Sequence, residues 1–444
     1  MNNDFEIRKI ILETLLEYEK NEVFSHVILK KVLDKYDYLK DREKALISVM
    51  VKGVIERRIQ LDYIIDKYSK TKTNKMKKPI RIILEMGTYQ IVYMDTFDTM
   101  SVNMSVNLAK SKGFSSLAGF VNAILRNISK DKDKIKEEML KEEDKLDIKY
   151  SIPTFLTDLL SEQYDKDTLN SILEASLKKS SVRIRLSENT DGSRTEKIRA
   201  KLKDNGVSVK AIEGVDKMFL ADKLGNISEL DVYKNGEITI QDTASYIFCK
   251  NIPYGDKILD ACAAPGGKSM VLSEMYPKAH ITACDIYEDK LERMEENFSR
   301  IGAVNVETKL LNATEHIKEF EEAYDIVVCD APCSGLGVMG KKQDIKYNLT
   351  PEGIDSIVAL QKEILDNLNT YVIKGGYLCY STCTLNKDEN ERQIQRFLKE
   401  YDYSIVKPEF IPEKYKSFVS GDLVQFIQGD DTDGFFFAIL KKNG

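Results

Sequence analysis

Cys383 stands in Ser381-Thr382-Cys383-Thr384, directly after the apolar run Tyr377-Leu378-Cys379-Tyr380 and before the polar Asn386-Lys387-Asp388-Glu389-Asn390-Glu391. An apolar run of that length, opened by Gly375-Gly376, reads as a short buried strand, so Cys383 falls where the strand ends. Upstream, a second strand-like run, Tyr324-Asp325-Ile326-Val327-Val328-Cys329, ends in Asp330-Ala331-Pro332-Cys333. The carboxyl ends of strands in open α/β sheets are where ligands bind, which would gather two thiols and a carboxylate in one crevice. Cysteine is an intrinsically strong nucleophile once its thiolate is accessible. Such a group suits a pyrimidine, whose C5 is not nucleophilic until a thiolate has added to C6. A second group must then strip the C5 proton so that the first thiol can leave. Seven cysteines lie between positions 249 and 383. Cys249, Cys262, Cys284, Cys329 and Cys379 read as buried small hydrophobes, and disulfides are the least expected state in a reducing compartment. Cys329 and Cys333, like Cys379 and Cys383, are spaced by four, and neither pair forms a C-x-x-C knuckle. With three histidines in the chain, no metal site is expected.

A third stretch, Asp260-Ala261-Cys262-Ala263-Ala264-Pro265-Gly266-Gly267-Lys268-Ser269, nearly spells a phosphate loop, but Cys262 occupies the position of the first required glycine. A dinucleotide G-x-G-x-x-G is also absent. What remains is a tight small-residue turn between strand and helix, where a ligand can approach the backbone closely. The next strand ends at Asp285, about 20 residues on, where a carboxylate can accept from two ribose hydroxyls. Ribose without a pyrophosphate pocket points to an S-adenosyl cofactor. Asp260 agrees, because a carboxylate near the turn favours an amine or sulfonium over a phosphate.

These residues need elements to hold them, and 444 residues allow roughly three domains. A charged fraction of 31% and a hydrophobic fraction of 42% are those of a globular protein. The net charge of -6 is uneven: residues 1–150 hold 29 Lys+Arg against 24 Asp+Glu, a net of +5, leaving -11 for the rest. No apolar stretch approaches the roughly 20 residues of a membrane span, and Met1-Asn2-Asn3-Asp4-Phe5-Glu6 lacks the order of a signal peptide. A cytoplasmic protein is expected. Ile7, Ile11 and Leu15, with Ile10 and Tyr18, repeat at helical spacing. Further helical runs over 44–59, 80–94, 104–112 and 117–128 make residues 1–130 an all-α bundle. Within it, 67–78 carries six lysines followed by Arg81, either a phosphate track or a solvated loop. Residues 131–150 read as a charged linker. From 151 to 235 two helical runs, a strand at 181–186, a helix at 195–204 and a strand at 207–212 suggest a small α+β unit. Arg183 and Arg185 share one face of its first strand and either meet RNA or face solvent. From 236 to 444 strands near 257–260, 279–285, 305–310, 325–330 and 376–381 alternate with helices, as in a doubly wound, mainly parallel sheet. The tail, 423–428 and 435–440, reads as a closing antiparallel hairpin.

With these motifs in place, Asp260 to Ser269, Asp330-Ala331-Pro332-Cys333-Ser334-Gly335 and Tyr380-Ser381-Thr382-Cys383-Thr384 strongly resemble the Sun family of RNA cytosine-5 methyltransferases. Gln241-Asp242-Thr243-Ala244-Ser245 and Asp433-Gly434-Phe435-Phe436 resemble its flanking motifs. Gly87-Thr88-Tyr89-Gln90 and Phe120-Val121-Asn122-Ala123-Ile124-Leu125-Arg126 resemble a NusB-type RNA-binding domain. The resemblance implies a multi-domain fold: an N-terminal NusB-like helical bundle, a small RRM-like α+β unit and a C-terminal Rossmann-like class I methyltransferase. It implies methyl transfer from S-adenosylmethionine to C5 of a cytosine in 16S ribosomal RNA, free or partly assembled, at position 967. A monomer without membrane attachment is expected. Carried over by position, Cys383 attacks C6, Cys333 assists product release, and Asp330 holds the N3 and amino edge. Cys262, Ala263, Ala264, Pro265, Gly266, Gly267 and Lys268, with Asp285, Asn312 and Asp330, line the cofactor site. Asn312 stands where relatives often have Asp, keeping an acceptor without the charge. Arg185 replaces a usual Asn, and Lys341-Lys342-Gln343-Asp344 replaces an Arg-Arg-x-Pro-Asp, losing the planar guanidinium fork. Two alternatives stay open: the same chemistry on transfer RNA, and a non-catalytic RNA-binding assembly factor.

Overall fold

The computed structural model describes residues 3–20, 23–94, 96–141, 145–178 and 181–444. The chain forms two compact units: one comprises the residues up to Leu177 together with Met339–Leu349, the other Lys178–Val338 and Thr350–Gly444.

The first unit is helical among its described residues. Its helices Asn3–Lys20, Ser25–Lys35, Asp41–Glu56, Arg58–Tyr68, Lys78–Tyr93, Asp98–Ser111 and Ala118–Lys130 follow the apolar periodicity. The stripe Ile7, Ile10, Ile11 and Leu15 is buried in one continuous core with Ile83, Leu84, Val121 and Leu125. Gly87 permits a close helix approach, since a Cβ there would lie 2.6 Å from Leu125 Cδ1 and 2.8 Å from Ser105 Oγ. The lysine-rich stretch leaves Lys70, Lys72, Lys75, Lys77 and Lys78 exposed. Lys67 pairs with Glu138, and Arg81 pairs with Glu19 and Glu85.

The expected linker behaves differently. Lys132–Lys141 is a helix whose only apolar one-turn pair, Ile135 and Met139, is buried in the core of this unit. Glu142, Glu143 and Asp144 lie outside the described residues, as do Met1 and Asn2. Helices Leu146–Tyr150, Thr154–Gln163 and Lys166–Ala175 also belong to this unit, so its edge falls at Leu177 rather than near 150. The returning segment Met339–Leu349 is fastened into it. Asp344 Oδ2 accepts from the Ser25 N–H at 2.5 Å. The Tyr347 hydroxyl lies 3.0 Å from the Glu56 carbonyl, 2.9 Å from that of Ser151 and 3.0 Å from Ser151 Oγ. Lys341 and Lys342 on the same segment are exposed.

The second unit holds two sheets. The smaller orders its strands β2-β3-β1-β4, all antiparallel, from β1 (Val182–Leu186), β2 (Ser208–Ile212), β3 (Val215–Asp222) and β4 (Ile238–Ile240). The last two are absent from the sequence reading, and β4 carries this sheet past residue 235. Arg183 and Arg185 neither meet solvent nor present a free face to RNA: each is 1% exposed. Central strand β1 turns Ile184 and Leu186 into the small core, while its other face is covered too. There Arg183 donates to the Asp242 and Asp433 carboxylates at 2.9 and 2.8 Å. Arg185 donates to Gln241 and Glu274 at 2.7 and 2.5 Å. Buried guanidinium groups need such partners, and here they tie the small sheet to the loops at Gln241–Asp242 and Asp433 and to the helix Gly267–Met275.

The larger sheet comprises β5 (Lys257–Asp260), β6 (His280–Asp285), β7 (Val306–Leu310), β8 (Tyr324–Asp330), β9 (Val372–Thr382), β10 (Tyr403–Val406), β11 (Val419–Ser420), β12 (Leu423–Phe426) and β13 (Phe435–Lys442). Its order is β11-β12-β13-β9-β8-β5-β6-β7, with β10 beside β13. From β7 to β9 neighbouring strands are parallel, and β13 adds antiparallel to β9. Successive residues alternate between two cores: Ile326 and Val328 face one, Val327 and Cys329 the other. Burial on both faces is what makes these strands read as continuous apolar runs. The chain leaves β5 toward β6 and β7, then returns to place β8 on β5's other side, so the topological switch lies between β5 and β8.

Candidate active site

The ends of β5, β6, β8 and β9 meet at this switch and bring the chemical residues to one edge. The ladder pairs Asp330 with Ser381, so Cys333 and Cys383 leave adjacent parallel strands in the same direction. Their Sγ atoms lie 3.4 Å apart, within hydrogen-bonding reach of sulfur. Both are partly exposed, whereas Cys249, Cys284, Cys329 and Cys379 are buried. Burial pushes the Cys249, Cys284 and Cys379 thiols up, marking them as inert. Cys262, expected among the buried thiols, is partly exposed and lines the cleft described below.

Asp330 sits beside the thiol pair. Lys268 Nζ donates to its Oδ2 at 2.5 Å and Ser381 Oγ to its Oδ1 at 2.7 Å. Burial works against the Lys268 ammonium, but Asp330, with Cys249 and Asp260 adding to it, more than offsets this and holds its pKa above the usual lysine value. Asp260, fully buried at the end of β5, accepts from Ser269 Oγ at 2.6 Å through one oxygen. Burial lifts its carboxyl to about 6, against the pull of Ser269 and Lys268.

A cleft of about 340 Å³ opens next to Asp330. Cys262, Ala264, Asp285, Asn312 and Asp330 line it, together with Ile286, Tyr287, Lys290, Leu311, Leu360 and Ile364. Asp285 Oδ1 accepts from Lys290 Nζ at 3.1 Å. The Asn312 amide is oriented by Thr314 Oγ1 donating to it at 2.9 Å and by its own donation to Glu315 at 3.0 Å. The remaining loop residues act behind the cleft wall. Ala263 packs with Met270, Met294 and Phe298. Gly266 has φ 94°, and a Cβ there would meet Phe298 at 2.9 Å. Gly267 accepts from Gln241 Nε2 through its carbonyl at 3.2 Å. Pro265 is exposed, and Asn297 donates to its carbonyl at 3.1 Å.

These residues fit an S-adenosyl group. A carboxylate at a strand end suits vicinal hydroxyls, and Ile286, Leu311, Leu360 and Ile364 offer apolar walls to a flat base. Asp285→Ala is therefore expected to weaken S-adenosylmethionine binding about 10- to 100-fold, the worth of losing hydrogen bonds to a charged acceptor. Unchanged affinity by calorimetric titration would sink the assignment of Asp285 to ribose.

The sequence reading missed Ile286 and Tyr287, which are about half exposed, at 49% and 57%. An apolar pair directly after a strand-end acid is a readable signal. It also missed the buried network around Glu389. Among the described residues no cluster of His, Cys, Asp or Glu is arranged to hold a metal ion, and no helix is long and apolar enough to cross a membrane.

Comparison with known proteins agrees with this architecture. The family described as 16S rRNA methyltransferase RsmB/F matches residues 250–441, and the NusB family matches residues 6–130. A probable ribosomal RNA small subunit methyltransferase B of Bacillus subtilis is 32% identical over 99% of both chains. The ribosomal RNA small subunit methyltransferase B of Proteus mirabilis is 28% identical over 91% of this chain and 92% of its own. Among solved structures, PH0851 superposes with a TM-score of 0.79 at 22% identity, covering 100% of this chain and 99% of that one. NSun6 from Pyrococcus horikoshii, solved with SFG, gives 0.57 at 19% identity over 66% of this chain and 98% of its own.

Proposed function

We propose, because the chain belongs to the ribosomal RNA small subunit methyltransferase B family, that the methyl group it transfers goes to C5 of a cytosine in 16S ribosomal RNA through a covalent thiol adduct. That it is an S-adenosylmethionine-dependent methyltransferase of ribosomal RNA is given by the family. Cytosine chemistry rests on one observation above all: two thiols 3.4 Å apart on neighbouring strand ends, beside a carboxylate held by Lys268 and Ser381. Methyl transfer to a heteroatom would need no such pair.

Bound S-adenosylmethionine supplies an electrophilic methyl on its sulfonium. The Cys383 thiolate adds to C6 of the ring, forming a C–S bond and making C5 nucleophilic. Asp330 holds the N3 and amino edge, favouring the charge distribution of the adduct. After methylation the C5 proton must leave, and the electrons of the C5–H bond re-form C5=C6 as the C6–S bond breaks. Cys333 assists that release. Its thiol is pushed well above the ordinary cysteine value, first by the hydrogen bond with Cys383 and then by burial. Once the Cys383 sulfur is bonded to C6, the largest of these causes is gone while burial and the Glu389 and Asp330 charges remain, and Cys333 takes the C5 proton. The target leaves its stack to react, since neither face of C5–C6 is reachable inside a helix.

The resemblance puts the target at cytosine 967. Bisulfite sequencing of ribosomal RNA from cells lacking the gene is expected to lose one 5-methylcytosine in the small subunit. Persistence of every ribosomal 5-methylcytosine, with loss of one in transfer RNA, would move the substrate. Persistence in both would favour an assembly factor.

A further inference from the structure

Two loops carry the thiols, and something must hold them in register. Glu389 lies in the polar stretch after Cys383 and is 0% exposed. Its Oε2 accepts from the Ser334 N–H at 2.8 Å and from Gln361 Nε2 at 3.1 Å. Its Oε1 accepts from Ser334 Oγ at 2.5 Å and Asn386 Nδ2 at 3.1 Å, with Thr384 Oγ1 3.4 Å away. Ser334 follows Cys333 and Thr384 follows Cys383. Ser334 Oγ and Thr384 Oγ1 also touch each other at 2.6 Å, and Gln361 Nε2 donates to the carbonyl of Pro332, just before Cys333, at 2.9 Å.

A hydroxyl has one proton. With the Ser334 proton committed to Glu389, the short contact requires Thr384 to donate to Ser334, giving the order Thr384, Ser334, Glu389. Only an acceptor can end such a chain, and every partner of the carboxylate is a donor. We propose that Glu389 is the positioning residue that sets the Cys333–Cys383 separation, by fastening the residue after each thiol to one carboxylate. This rests on the reading of those thiols as the catalytic pair. Glu389 touches neither sulfur in this network; it acts through Ser334 and Thr384. Its negative charge also adds to the rise of the Cys333 thiol.

Glu389→Gln keeps the shape but sets an NH₂ against at least two donors in either orientation, so the loops should separate. The geometric test needs no RNA. Diamide oxidises two thiols to a disulfide and is itself reduced to the hydrazine, and peptide mapping reads the Cys333–Cys383 link. The native protein should form this link readily, and Glu389→Gln at least about tenfold more slowly, equivalent to ~1.4 kcal/mol. Ser334→Ala, which removes one hydroxyl and keeps the backbone bond, should fall between them and serves if the first variant does not fold. With RNA and S-adenosylmethionine, Glu389→Gln should accumulate covalent adduct although both thiols are present, with cofactor affinity unchanged. Cross-linking at the native rate in either folded variant, or slow cross-linking with no adduct while Cys333→Ala does accumulate it, would overturn the proposal. Absence of adduct from Cys333→Ala itself would instead count against the catalytic reading and leave the diamide comparison to decide the role of Glu389.

Discussion

Cys333→Ala is expected to leave the protein covalently bound to its RNA. In the proposed cycle Cys383 makes the bond to C6 and Cys333 assists its breakage, so deleting the second thiol while keeping the first halts the cycle after addition. A species stable to denaturing electrophoresis and sensitive to ribonuclease should accumulate, with turnover reduced to little more than a single event. Cys383→Ala should give no such species and no methylation, because C5 is never activated. The two thiols are similar in exposure and only 3.4 Å apart, so a non-specific effect of losing one would be alike for both. Asymmetry is thus the diagnostic outcome. Equal trapping by both variants, or trapping by Cys383→Ala alone, would reverse or abolish the division of labour.

A second large effect is expected at a position carrying no reactive group. The Gly337 N–H donates to the Cys383 carbonyl at 3.0 Å, and the Gly337 carbonyl accepts from the Gly434 N–H at 2.9 Å. A Cβ on Gly337 would lie 2.1 Å from the Gly434 carbonyl oxygen and 2.8 Å from that of Cys383. Both neighbours are backbone, with no side-chain end to swing aside, so Gly337→Ala must displace the Cys383 loop itself. Overpacking of this kind costs about 1–3 kcal/mol of stability, and a displacement of about 1 Å at a nucleophile costs about 10²-fold in rate. Expected, then, are a lowered melting temperature, a kcat reduced by about two orders of magnitude and an S-adenosylmethionine affinity near that of the native protein. Native kcat in a folded Gly337→Ala protein would contradict the view that this backbone clamp fixes Cys383.

The parts legible in the sequence were those whose signal is local. Strands β5, β6, β8 and β9 are buried over most of their length and so appear as largely apolar runs, and their ends brought out Asp285, Asp330 and Cys383, whereas Cys262 entered the cofactor set only through the family resemblance. Where a second layer decides burial, a single strand could not tell. Arg183 and Arg185 alternate with Ile184 and Leu186 as in a half-solvated strand, yet the outward face is covered and both arginines are 1% exposed. Glu389 fails for the same reason. It sits in Asn386-Lys387-Asp388-Glu389-Asn390-Glu391, which has the composition of a solvated loop, while Ser334 and Gln361 reach it from 55 and 28 residues away. Within the charged run 131–150, Ile135 and Met139 lie one helical turn apart among mostly charged residues, too sparse for a periodic signal but enough to dock one helix. Strand β3 follows a Glu213-Gly214 turn in which Gly214 has φ 75°, a hairpin mark the sequence did carry.

The returning segment Met339–Leu349 bears on how this architecture could ever be divided. Its residues arise between β8 and β9 yet belong to the helical unit, where Asp344, Ile345 and Lys346 are buried and Tyr347 packs on the helical core. A gene shortened from its start, so as to encode only residues 178–444, would still specify eleven residues suited to a neighbour that no longer exists. An ancestral fission or fusion at residue 177 would therefore not suffice to part the two modules. Shedding the helices demands a second, internal deletion or a rewriting of that insert, and acquiring them demands the reverse. The helical unit is thus encoded in two separate stretches of the gene.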